Sequence, residues 1–90
     1  MYLKETVVLE NKDGLHARPA ALLVQEASKY KSEIYISKDG IKANAKSIIE
    51  VMSLGAEQGS KIEIEVNGDD AKEAMEHLLD LIRNKKLAEG

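Results

Sequence analysis

Residues 62–66 read Ile-Glu-Ile-Glu-Val, a strict alternation of apolar and charged side chains. An extended strand puts successive side chains on opposite faces, so this segment is predicted to rest one face on a core and turn the other to water. A lone strand is not stable in water; it needs strand neighbours and a cover for its apolar face. The rest of the chain offers both. Thr6–Glu10 is β-branched and apolar and reads as a strand. Glu33–Lys38 sets Ile34 and Ile36 against polar neighbours, Asp39-Gly40 signals a tight turn, and Ile41–Ala45 reads as the return strand of a hairpin. For cover, Ala20, Leu23, Val24 and Ala27 recur at helical spacing in a helix predicted from Ala17 to about Tyr30. Ala71, Ala74, Met75, Leu78 and Ile82 do the same in a last helix that runs to about Asn84. The order β-α-β-β-α-β-α, with half-buried strands and all helices on one side, predicts an open-faced α+β sandwich. The periodicities leave the strand order open.

Between these elements lies punctuation with a mechanism. Asn11-Lys12-Asp13-Gly14 and Asn67-Gly68 are turn chemistry. Ser47-x-x-Glu50 has the form of a capping box opening a short apolar helix to about Leu54, closed by Gly55, and Asp70-x-x-Glu73 has the same form ahead of the last helix. Ninety residues make one domain, spanning 1–90, whose core must be aliphatic because the aromatics are Tyr2, Tyr30 and Tyr35 alone. The chain has no cysteine, which excludes disulfides and thiolate metal sites. A net charge of −3 and the lack of a basic face with stacking aromatics argue against direct nucleic-acid binding; the short tail Arg83, Lys85, Lys86 is the one basic cluster. No apolar run is long enough for a membrane span, and the N-terminal MYLKETVVLE lacks the apolar core of a signal peptide, so a soluble cytoplasmic protein is expected.

The functional signal is the octapeptide Gly14-Leu15-His16-Ala17-Arg18-Pro19-Ala20-Ala21. It sets a histidine at the mouth of the first predicted helix. Pro19 suits the first helical turn, where a missing N–H costs nothing. Helix N-termini present unpaired N–H groups and partial positive charge, and so attract anions, phosphate above all. Imidazole, with an ordinary pKa of about 6.5, is a neutral nucleophile near pH 7 and a moderate leaving group, as a reversible phosphoryl acceptor must be. A guanidinium such as that of Arg18 pairs with phosphate oxygens in a geometry lysine cannot copy. The other reading of His16 is a turn histidine that caps the helix or faces water.

The run GLHARPAA resembles the phosphorylation site of the HPr family, histidine-containing phosphocarriers of the bacterial phosphoenolpyruvate:sugar phosphotransferase system. The run Lys46-Ser47-Ile48-Ile49-Glu50-Val51-Met52-Ser53-Leu54-Gly55 is similar to that family's regulatory serine region, and motif order and spacing match from end to end. The resemblance implies a four-stranded antiparallel sheet covered by three helices. It implies a phosphoryl group carried on Nδ1 of His16, supported by Arg18, received from Enzyme I and passed to the IIA domains of sugar permeases. It also implies regulatory phosphorylation of Ser47 by an HPr kinase/phosphorylase and corepression with a catabolite-control transcription regulator. Many Gram-positive members carry methionine and glycine where this chain has Ile49 and Glu50, and a carboxylate at Glu50 would repel a phosphate on Ser47. The expectation is therefore a monomeric phosphocarrier without cofactor, metal or turnover of its own. The alternative is a regulatory corepressor-type paralogue acting through Ser47. A third option, an autonomous histidine-dependent phosphohydrolase, lacks a second acid/base group in the sequence near His16.

Partner docking is expected around Ala17 and Ala21 on the first helix and Ile48, Ile49 and Met52 on the second. A short helix cannot bury every apolar residue from Ile48 to Leu54, and residual apolar surface often marks a partner site. His77 reads as a plain surface histidine. Glu63, Glu65, Asp69 and Asp70 are assigned no chemistry, because strand alternation and capping account for them.

Overall fold

The computed structural model describes residues 1–84 and Leu87. The elements are β1 (Tyr2–Val8), α1 (Ala17–Ala27), β2 (Glu33–Lys38), β3 (Ile41–Asn44), α2 (Ile48–Ser53), β4 (Lys61–Asn67) and α3 (Ala71–Arg83). The four strands form one antiparallel sheet in the order β1-β4-β2-β3, with the Ile-Glu-Ile-Glu-Val strand in its interior. Ile62, Ile64 and Val66 are fully buried, and their neighbours across β4 include Val7 on β1 and Ile34 and Ile36 on β2. The three helices close over this face. Ala20, Leu23 and Ala27 of α1, Val51 of α2 and Ala71, Ala74, Met75, Leu78, Leu81 and Ile82 of α3 join the strands in one hydrophobic cluster. The opposite sheet face is polar and open, with a Tyr2 hydroxyl donating to Glu65 at 2.7 Å and the Lys42 ammonium 4.8 Å from the centre of the Tyr35 ring. This is the open-faced α+β sandwich with four antiparallel strands and three helices.

Two boundaries differ from the sequence expectation. The first strand begins at Tyr2, because each residue from Tyr2 to Val8 faces a partner on β4, and that pairing satisfies the backbone whatever the side chains are. Leu9, read as strand, lies beyond it, buried and tied to the 59–60 loop through Leu9 N–H to the Ser60 carbonyl at 2.9 Å. Helix α1 stops at Ala27; Lys29 and Tyr30 continue as a tighter turn with i→i−3 bonds to Glu26 and Ala27, which mimic helical spacing. The hairpin turn matches its signal: Asp39 and Gly40 both take positive φ, +52° and +82°, as a two-residue hairpin turn requires. Among the described residues no helix is long and apolar enough to cross a membrane. Of the basic tail, Lys85 and Lys86 lie outside the described residues.

Candidate functional site

Helix α1 starts where the 9–16 loop delivers it. Gly14 sits at φ +56°, and a Cβ there would come within 2.7 Å of Glu57 Cα, so this position needs glycine for both its conformation and its close approach to the 56–57 backbone. The next peptide is gripped by Leu15 N–H donating to the Ala56 carbonyl at 2.9 Å, and the Leu15 side chain is buried. His16 follows as the N-cap residue with extended backbone (φ −85°, ψ −174°), its N–H bonded to the Asp13 carbonyl at 3.2 Å and its own carbonyl accepting from Ala20 N–H at 2.8 Å.

The His16 side chain is exposed and makes no capping hydrogen bond. Ala17 and Arg18 head the helix with N–H groups that engage no hydrogen bond among the described residues, and Pro19, third in the helix and buried, has none to offer. No acidic residue stands in this first turn to neutralise the helix terminus. Arg18 is exposed and forms no ion pair or side-chain hydrogen bond among the described residues. One turn of chain thus gathers an accessible imidazole with two amides and a guanidinium that no described residue engages, an arrangement suited to an anionic group on the imidazole.

Ser47 caps α2 as its motif predicts, its hydroxyl accepting from Glu50 N–H at 3.4 Å. The reciprocal half of the predicted capping box is absent. Glu50 turns its carboxylate to Asn44 N–H at 3.0 Å, while Ser47 N–H bonds the Asn44 carbonyl at 3.0 Å, because the turn after β3 places Asn44 nearer. Helices α1 and α2 pack against each other. Ala17 and Ala21 are exposed on α1, and on α2 Ile48, Ile49 and Met52 remain 39, 78 and 40% exposed while Val51 and Leu54 turn inward.

Two features escaped sequence reasoning. The second predicted capping box does not form: Asp70 leaves the α3 amides and instead accepts from Lys31 N–H, Ser32 N–H and the Ser32 hydroxyl at 2.9, 3.0 and 2.5 Å, which hold its carboxyl below the usual range, the Ser32 hydroxyl foremost. His77 is no plain surface histidine. Its Nδ1 lies 2.6 Å from the Tyr30 hydroxyl and its Nε2 2.9 Å from the Glu26 carboxylate, tying α3 to the end of α1. Burial raises the Tyr30 hydroxyl above its ordinary pKa, so it stays protonated. Both partners lie about fifty residues from His77 in sequence, beyond any local motif.

The fold is a small sheet-and-helix sandwich that carries an exposed histidine at the N-terminus of its first helix. The chain belongs to the HPr family: residues 3–84 match the family described as PTS HPr component phosphorylation site. It is 49% identical to the HPr-like protein Crh of Halalkalibacterium halodurans over 92% of this chain and 99% of that protein. It is 44% identical to phosphocarrier protein HPr of Neisseria meningitidis over 98% of both chains. Its fold superposes on the crystal structure of HPr-C-His from Thermoanaerobacter tengcongensis with a TM-score of 0.90 at 52% identity, covering 92% of this chain and 93% of the other; an HPr dimer from that organism matches at 0.75.

Proposed function

We propose that this protein accepts a phosphoryl group on His16 from Enzyme I and passes it to IIA domains of sugar permeases, as a cytoplasmic monomer without turnover of its own. The observation that supports this is the uncapped α1 terminus: among the described residues nothing engages its first two amides, and Arg18 on the same turn has no competing partner. In the step, an imidazole nitrogen attacks phosphorus, the N–P bond forms, and the bond from phosphorus to the donor breaks. Charge gathers on the three non-bridging oxygens, where the Ala17 and Arg18 amides and the Arg18 guanidinium stabilise it; positioning and charge are most of what this chemistry asks of a protein. The exposed Ala17, Ala21, Ile48, Ile49 and Met52 are the docking surface for both partners in this reading. Incubation with phosphoenolpyruvate and Enzyme I gives an acid-labile phosphate on the wild type and none on His16→Ala; label surviving that substitution refutes the assignment. Arg18→Lys retains the fold and slows transfer about tenfold, the loss of a bidentate phosphate contact.

The similarity to Crh supports a second reading, in which the chain acts through phosphorylated Ser47 as a corepressor. Ser47 is half-buried as a helix cap, and a phosphate there would share the first turn of α2 with Glu50, whose carboxylate bonds Asn44 N–H. HPr kinase/phosphorylase with ATP separates the readings: stoichiometric, acid-stable label on Ser47, together with binding to a catabolite-control regulator, supports the second. Sedimentation in both phosphorylation states tests the monomer.

A further inference from the structure

Asn11 is 4% exposed in a loop whose next two residues, Lys12 and Asp13, face water. A buried amide is costly unless paired, and this one is paired with purpose. Its Nδ2 donates to the Gly14 carbonyl at 2.8 Å, and its own backbone carbonyl accepts from Gly14 N–H at 3.2 Å. The Gly14 carbonyl and the Leu15 N–H belong to one peptide unit. That unit is therefore held at both ends, by Asn11 on its oxygen and by the Ala56 carbonyl on its nitrogen. The following unit is held by His16 N–H on the Asp13 carbonyl. Two consecutive clamped peptides fix the Cα of His16 and the heading of α1, so the imidazole and the Ala17 and Arg18 amides share one mounting.

We propose that Asn11 is a positioning residue for phosphoryl transfer at His16; the proposal rests on the phosphocarrier reading above. The position requires a side-chain donor, because the group it meets is a carbonyl. Aspartate, isosteric but acceptor-only when ionised, sets like partial charges against each other. Alanine frees the oxygen end of the Gly14–Leu15 peptide, and with glycine on one side that plane can rotate. The imidazole then samples orientations in which its nitrogen no longer points where phosphorus must sit, and transfer falls while docking residues stay in place.

The test compares wild type, Asn11→Ala, Asn11→Asp and Asn11→Ser with the distant core variant Ile82→Val, using phosphoenolpyruvate and Enzyme I. Two quantities are read besides urea stability: the rate constant for accepting phosphate, and the pH profile of hydrolysis of the isolated phosphohistidine form, which involves no partner. Asn11→Ala and Asn11→Asp accept phosphate more slowly, on the order of tenfold, and their hydrolysis profiles move toward that of free phosphohistidine. Asn11→Ser, which keeps a hydroxyl donor, falls between and carries the test if the other two do not fold. Ile82→Val loses stability with both quantities unchanged. If the folded Asn11 variants lose stability alone, as Ile82→Val does, the positioning role is overturned. A wild type that takes no label overturns the phosphocarrier reading itself, and this inference with it.

Discussion

Gly14→Ala tests how the fold carries the site. Two costs are separable. The left-handed backbone at φ +56° penalises any L side chain by about 1–2 kcal/mol. The new Cβ also meets backbone of the 56–57 loop, with Glu57 Cα 2.7 Å away, and backbone cannot swing aside as a side chain can. Overpacking of that kind adds about 1–3 kcal/mol. The sum, about 2–5 kcal/mol, is a large share of the roughly 5–10 kcal/mol expected of a small domain. Gly55→Ala supplies the control: its φ is +61°, nearly the same, yet beyond its chain neighbours no described residue lies within 4 Å of its Cβ position. It should lose the conformational cost alone. Urea titrations followed by far-UV circular dichroism compare the two variants, with melting as a second readout at about 4–8 °C per kcal/mol. The expected separation is about 1–3 kcal/mol, with Gly14→Ala the weaker. Two variants that agree within about 0.5 kcal/mol would show that the loop yields freely, and the close approach at Ala56–Glu57 would lose its role in mounting His16.

Other outcomes follow from the same contacts. Asp70 is held below the usual carboxylate range by the Ser32 hydroxyl and the Lys31 and Ser32 amides, so its stabilisation is complete above the ordinary aspartate pKa of about 3.9 and is lost as pH falls through its folded value. Asp70→Asn should therefore unfold at lower urea than wild type at pH 7, with the two midpoints converging on acidification; a constant gap across pH contradicts this. His77→Ala removes hydrogen bonds to Tyr30 and Glu26 and should cost about 1–2 kcal/mol in urea while leaving the rate of His16 labelling unchanged. Ile49→Asp, at a residue 78% exposed, should alter stability by less than about 0.5 kcal/mol and raise the KM for this protein as substrate of Enzyme I; an unchanged KM removes Ile49 from the docking surface.

The alternation at Ile62–Val66, the helical stripes at Ala20–Ala27 and Ala71–Ile82 and the turn at Asp39-Gly40 announced their elements, because period and backbone sterics are properties of a few neighbouring residues. For the same reason the octapeptide sufficed to set His16 at a helix mouth: the left-handed Gly14 before it and Pro19 in the first turn after it fix the helix start locally. The strand order β1-β4-β2-β3 needed the folded chain, since every half-buried strand carries the same alternation and none names its neighbour. So did the uses of polar side chains. Asp70 and Glu50 each sit in a capping motif, but a hydrogen-bond donor brought by another part of the chain, Lys31–Ser32 in one case and Asn44 in the other, took the carboxylate. His77 gained Tyr30 and Glu26, and Asn11 became buried, through packing that no window of sequence contains. Local pattern thus chose the elements and set His16 at the start of a helix. The tertiary structure alone chose the partners, because a polar group bonds whatever the fold sets within about 3 Å of it, however distant in the chain.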